Sequence, residues 1–204
     1  MKNTQTKINL FSTPVVIEND IYRLDDTEMN FLKSLPLRKS DFNSISQSSF
    51  ILENTEMSKI SMIIDYYVEN YVSNVLEISN QVVRTQSWIS INKKGEKHHT
   101  HEHPNTFVSA VFYADCKSGD LCFKRIRSVI QEGYLFSYNI KHYNLHNSKV
   151  WEIKPRTGDL VIFPGWITHS CTENENDTDR IALGVNYFLK GQMGSEDTVD
   201  LINL

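Results

Sequence analysis

From residue 81 onward the chain is a series of short apolar runs, each closed by a turn. This pattern constrains the fold more than any other feature. The runs are VVRTQSWISI (82–91), TFVSAVFYA (106–114), DLCFKRI (120–126), WEIKP (151–155), DLVIFP (159–164) and RIALGVNYFL (180–189). They are rich in β-branched and aromatic residues, and several alternate apolar with polar, as half-buried strands do. KSGD (117–120) and KPRTGD (154–159) are the clearest turns between them.

The first third has a different period. DDTEMNFLKSL opens with acidic residues suited to a helix N-terminus and then carries Met29, Phe31, Leu32 and Leu35. A polar break, RKSDFNSISQSS (38–49), follows. MSKISMIIDYYVENYVSNVLEI then places Ile60, Ile63, Ile64, Tyr67, Val68, Tyr71, Val72, Val75 and Leu76 at three- and four-residue steps, the apolar stripe of one long amphipathic helix. Helices first and about eight strands after predict a mainly β fold, a sandwich or barrel with N-terminal α-helices as an outer layer. At 204 residues the chain reads as one domain: helical support over 1–80, the β core over 81–190 and a tail over 191–204.

Composition excludes some function classes. Hydrophobic residues at 40% and charged residues at 23% are enough for a packed core and argue against disorder. A net charge of −4 gives no global attraction to nucleic acid or anionic lipid. No apolar run approaches the ~20 residues of a membrane span, and the N-terminus lacks the apolar core of a signal peptide. Cys116, Cys122 and Cys171 are odd in number and match no zinc spacing, so they read as reduced thiols and the protein as cytoplasmic. Oligomeric state is not legible; a homodimer through the N-terminal helices is compatible with the pattern. Residues 128–150, polar and aromatic without a clean period, read as a lid or binding loop.

The stretch KHHTHEHP (97–104) holds four of the seven histidines. In a regular strand His99, His101 and His103 share one face, and His98, Thr100 and Glu102 the other. Imidazoles at i and i+2 can bind one metal while a third ligand comes from another strand. The competing reading is a polar surface cluster.

Alternation also describes the later strands. Arg180, Ala182, Gly184, Asn186 and Phe188 fall on one face of their run, as a strand lining a cavity would place them. A guanidinium there needs an anionic partner, and a carboxylate suits it. The competing reading pairs an exposed Arg180 with Asp177 or Asp179. Phe107, Ser109, Val111 and Tyr113 share a face, so Ser109 and Tyr113 offer hydroxyls to the same cavity. Trp88, Asn92 and Trp166 are candidates for its mouth.

Together, SWISINKKG, HEHPNTFVSAVFY, GDLVIFPGWITHS and DRIALGVNYF resemble the Fe(II)- and 2-oxoglutarate-dependent oxygenases, over roughly residues 84–190. More narrowly the chain, with its opening LFSTPVV, is similar to a group of uncharacterised oxygenases of phages and marine bacteria. The resemblance implies a double-stranded β-helix (a cupin-like jelly roll). It implies Fe(II) held by His101, His103 and His169, with 2-oxoglutarate and O2 as co-substrates and hydroxylation of an unidentified substrate. Arg180 matches the arginine that holds the far carboxylate of 2-oxoglutarate, Tyr113 a tyrosine that often joins it, and Ser109 and Asn92 complete the expected pocket. No catalytic residue is implied beyond the metal ligands.

One departure stands out. His103 occupies the place of the usual carboxylate ligand and leaves the iron site one unit more positive. That also resembles the three-histidine dioxygenases that use no co-substrate. The alternative register pairs His99 with His101, and Glu102 is a third candidate ligand if a bulge turns it inward. A non-catalytic jelly-roll module is the remaining reading.

Overall fold

The computed structural model describes residues 6, 8, 9, 12–125 and 139–204. Two sheets face each other. The larger is built from β1 (Val16–Glu18), β2 (Leu37–Lys39), β3 (Ser44–Ser46), β4 (Gln81–Asn92), β6 (Val108–Asp115), β9 (Leu160–Pro164) and β11 (Arg180–Lys190), in the order β1-β9-β6-β11-β4-β3-β2. The smaller is built from β5 (His98–His101), β7 (Leu121–Lys124), β8 (Val150–Ile153) and β10 (His169–Cys171), in the order β5-β10-β7-β8. The pairings in both are antiparallel. A two-stranded ribbon, β12 (Gln192–Met193) with β13 (Ile202–Asn203), closes the C-terminus.

Helix α1 (Asp26–Ser34) starts at Asp25, whose side chain accepts from Glu28 N while Glu28 returns the bond to the Asp25 amide. This capping box is written in the sequence as DDTE. Helix α2 (Ser58–Asn70) buries Ile60, Ile64 and Val68. Instead of continuing as one α-helix, the stripe passes into a π-turn over Tyr71–Val75, so Tyr71 and Val72 stay on the buried side.

These helices cover the outer face of the large sheet. Leu32, Ile60, Ile64, Val68 and Tyr71 pack with Ile89, Ala110, Phe112, Leu160, Ile162, Leu183 and Val185 in one core. A second, smaller core of Tyr113, Leu121, Phe123, Val161, Phe163 and Ile167 fills part of the space between the sheets. Strand alternation sorts the two: in β6 Ala110 and Phe112 face the helices, while Val111 and Tyr113 face the small sheet.

The expectation of a polar break at 38–49 is corrected. The segment forms the β2–β3 hairpin and extends the large sheet beyond β4. Strands of three residues are too short to show a period, and β2 is exposed throughout. Residues 128–138 of the expected lid lie outside the described residues, as does part of LFSTPVV. The described remainder, 139–149, carries no helix or strand. Among the described residues no helix is long and apolar enough to cross a membrane.

Candidate metal centre

Three histidines converge between the sheets. His169 opens β10 and is 3% exposed; its Cα partner on the neighbouring strand is His101, the last residue of β5. His103 follows two residues later, its amide donating to Gly165 O at 3.0 Å. One ligand atom from each of His101, His103 and His169 lies within 4.8 Å of the others. The Nε2 atoms of His103 and His169 are 3.2 Å apart.

Their tautomers are set from behind. His169 Nδ1 donates to Ile167 O and His101 Nδ1 to His99 O, both at 2.9 Å. A proton on Nδ1 leaves the Nε2 lone pair facing inward, the form a metal ion takes up. Burial is the main force holding these rings neutral, and their mutual proximity adds to it. It pushes the pKa of His103 down to about 3 and of His169 to about 4, and lowers that of His101. Neutral imidazoles with converging lone pairs fit a divalent cation.

The expected shared face of His99, His101 and His103 is corrected. Between the pairs His169↔His101 and Cys171↔His98, β5 spends one more residue than β10. This bulge restarts the alternation, so that His98 turns inward with His101 and His103. His99 is exposed and stacks on Phe42 at 4.9 Å. Glu102 is also exposed and accepts from Thr168 Oγ1 at 2.5 Å. Neither joins the cluster. His98 is the residue that sequence alternation missed, because a bulge leaves no mark in the sequence.

Arg180 begins β11 opposite Asn92 of β4. It is 2% exposed, so the solvated ion pair is ruled out; Asp177 pairs with Lys94 instead. Its Nη1 donates to Thr172 O at 3.1 Å and Ser118 O at 3.3 Å. Its Nη2 is buried and has no partner among the described residues. The same is true of Asn92 Nδ2 and Tyr113 OH. Burial holds the Tyr113 phenol well above its usual pKa, so it keeps its proton. Three inner-face polar groups with donor protons are therefore unsatisfied. Leaving such groups buried without acceptors is costly, so the pocket fits an anion such as a carboxylate.

Ser109 is placed differently. Its hydroxyl donates to Asn186 Oδ1 at 2.9 Å, and Asn186 donates to Gln86 Oε1 at 3.0 Å. Ser109 spends its proton within the large sheet, and only its oxygen remains to accept. Trp88 lies across Gly184, where a Cβ would come within 2.5 Å of its ring, and is 5.6 Å from the His103 ring. Trp166 is 54% exposed.

Residues 86–186, about half of the chain, match the family described as "Putative 2OG-Fe(II) oxygenase". The chain belongs to the 2-oxoglutarate- and Fe(II)-dependent oxygenases. Among solved structures, this oxygenase is similar to a Pseudomonas putida prolyl-4-hydroxylase, with 12% identity, a TM-score of 0.58 and coverage of 88% of this chain and 95% of that one. It is also similar to a Trichoplax adhaerens prolyl hydroxylase in complex with a hypoxia inducible factor peptide, with 14% identity, a TM-score of 0.59 and coverage of 85% and 83%. HygX from Streptomyces hygroscopicus with nickel and 2-oxoglutarate bound is 9% identical, with a TM-score of 0.57 and coverage of 86% and 82%. At such identities the likeness is one of fold, and it identifies the oxygenase's paired sheets as those of a double-stranded β-helix. Comparison with curated proteins finds no match.

Proposed function

We propose that the chain is a hydroxylase in which His101, His103 and His169 hold Fe(II), and Arg180, Tyr113 and Asn92 hold the far carboxylate of 2-oxoglutarate. Bound iron supplies oxidative chemistry driven by decarboxylation of the co-substrate in the presence of O2. The protein's own residues bind, orient and exclude water. The two backbone carbonyls behind His101 and His169 keep their lone pairs aimed inward. Phe123 and Phe163 stand beside the His169 ring, at 6.2 and 4.8 Å, and keep that side dry.

The observation that carries this reading is the orphaned Arg180 Nη2 at the inner end of β11. A non-catalytic module has no use for a buried guanidinium whose Nη2 lacks an acceptor, and in a three-histidine dioxygenase without a co-substrate that nitrogen would have to hold a carboxylate of the substrate itself. Structures of similar fold hold a peptide fragment in one case and hygromycin B in another. Three free cysteines support the reduced, cytoplasmic compartment inferred from composition. We read residues 1–204 as one oxygenase domain.

The test is an anaerobic titration of Fe(II)-loaded protein with 2-oxoglutarate, following the visible metal-to-ligand charge-transfer band. A saturable band that weakens in Arg180→Ala, with iron retained, is the expected result. Bound iron with no band overturns the co-substrate assignment.

A further inference from the structure

Asn43 lies in the turn of the β2–β3 hairpin, far in sequence from the histidines, yet it is 1% exposed. Its side chain sits between Ser90 of β4 and His98 of β5. Ser40 Oγ is 2.9 Å from Asn43 Oδ1 and 3.0 Å from Asn43 O, and shares its one proton between them. The amide nitrogen faces the other way. It donates to Ser90 Oγ at 2.7 Å and to His98 Nδ1 at 2.7 Å.

Each of these bonds fixes the next. Ser90 Oγ accepts from Asn43 and so turns its own proton to Asn92 Oδ1 at 3.3 Å. With Oδ1 taken, Asn92 is held with Nδ2 pointing away, and that is the buried nitrogen without a partner. His98 Nδ1 accepts this hydrogen bond and so carries no proton of its own. A neutral ring then has its proton on Nε2, for which no acceptor is found among the described residues. His98 is inward-facing, its ring 4.6 Å from that of His101, and it lies within electrostatic reach of Arg180 and His169.

We propose that Asn43 is a positioning residue for the co-substrate. From the N-terminal hairpin it sets the Nε2–H tautomer of His98 and the amide orientation of Asn92, so that both donate to the carboxylate held by Arg180. This rests on the 2-oxoglutarate reading of the site. His98 becomes a specificity element: with Asn92 it adds donors to those of Arg180 and Tyr113, which favours a ligand that ends in a carboxylate over one that ends in a neutral group.

Four variants test it. Asn43→Asp replaces the donor with an acceptor, which draws the His98 proton to Nδ1 and turns the Nε2 lone pair toward the ligand. His98→Leu removes the donor, while His98→Gln keeps an N–H at the Nε2 position. Asn43→Leu removes the bond without imposing the opposite tautomer. Anaerobic titration of the Fe(II)-loaded proteins with 2-oxoglutarate is expected to show affinity lowered about tenfold or more in Asn43→Asp and His98→Leu. Asn43→Leu is expected to fall between these and wild type, and His98→Gln to stay within about threefold of wild type. Nitrogen-15 NMR of the histidine rings in the diamagnetic Zn(II) form reads the tautomer directly: His98 protonated on Nε2 in wild type and on Nδ1 in Asn43→Asp. Equal affinity in wild type and His98→Leu, or an unchanged tautomer in Asn43→Asp, overturns the inference. If Asn43→Asp does not fold, the His98 pair still decides it. Absence of 2-oxoglutarate binding in wild type is a different failure, and sinks the proposed function itself.

Discussion

Gly119 leaves the space that the Arg180 guanidinium fills: a Cβ added to Gly119 would overlap Arg180 Nη1. Gly119 also sits at φ +92°, a conformation that side chains resist. It belongs to the KSGD turn before β7, and the adjacent Ser118 carbonyl accepts from Arg180. The turn is thus both a hairpin element and one wall of the arginine's berth.

Gly119→Ala should therefore behave as a mild copy of an Arg180 variant. The alanine costs roughly 1–2 kcal/mol in backbone strain and pushes the guanidinium from its place. We expect affinity for 2-oxoglutarate to fall about tenfold or more, with iron stoichiometry unchanged. Calorimetry of the anaerobic, iron-loaded variant measures both, and undiminished affinity would falsify the berth.

His169 is the most buried of the three converging rings, and it joins β5 to β7 as a partner of both His101 and Phe123. Removing its imidazole leaves two inward lone pairs where three stood. His169→Ala is expected to lose tight Fe(II) binding, read as metal content after desalting. Wild-type metal content in the variant would remove His169 from the site.

The metal-free protein should weaken as pH falls. Burial above all pushes the pKa values of His98, His103 and His169 down to about 3, 3 and 4, whereas in the unfolded chain each titrates near 6.5. Below about pH 6.5 the unfolded state therefore binds more protons than the folded state, and stability drops until the folded-state values are reached. The melting temperature of the metal-free protein is expected to fall from pH 7 to pH 4.5. The slope above pH 5 should be shallower in His103→Gln. A flat profile over that range would show that these rings are not held neutral.

The strands that line the pocket were legible in proportion to where their irregularities fell. On β11 the alternation of Arg180, Ala182, Gly184 and Asn186 holds in the fold, because the two register shifts beside it place the extra residues, Thr85 and Ala114, on its partners β4 and β6. On β5 the extra residue lies within the histidine strand itself, and parity fails between His98 and His101. Nothing local to KHHTHEHP decides that. His98 is drawn inward by Asn43, which arrives on a hairpin of two three-residue strands, too short to carry a readable period. The three histidines that the resemblance names do converge in the fold; the network behind them depends on contacts between distant segments.

His103 supplies the last prediction, because it stands where the superfamily resemblance expects a carboxylate. Its ring is fixed by Trp88 on one side and His169 on the other, at centroid distances of 5.6 and 5.0 Å. A neutral ligand there leaves the full charge of a divalent ion facing the pocket. The pocket also offers Arg180 and several neutral donors, so it presents positive potential along its length, which suits a dianion. His103→Glu places a carboxylate of comparable reach at the same point. The variant should still hold Fe(II), since three ligands remain, but the charge that attracts 2-oxoglutarate is reduced by one unit. Affinity for 2-oxoglutarate is expected to fall several-fold, and the loss should be larger at low ionic strength, where the electrostatic contribution is less screened. The charge-transfer titration at two salt concentrations checks both points. Affinity that is unchanged or higher in His103→Glu would mean that the third histidine contributes geometry rather than charge.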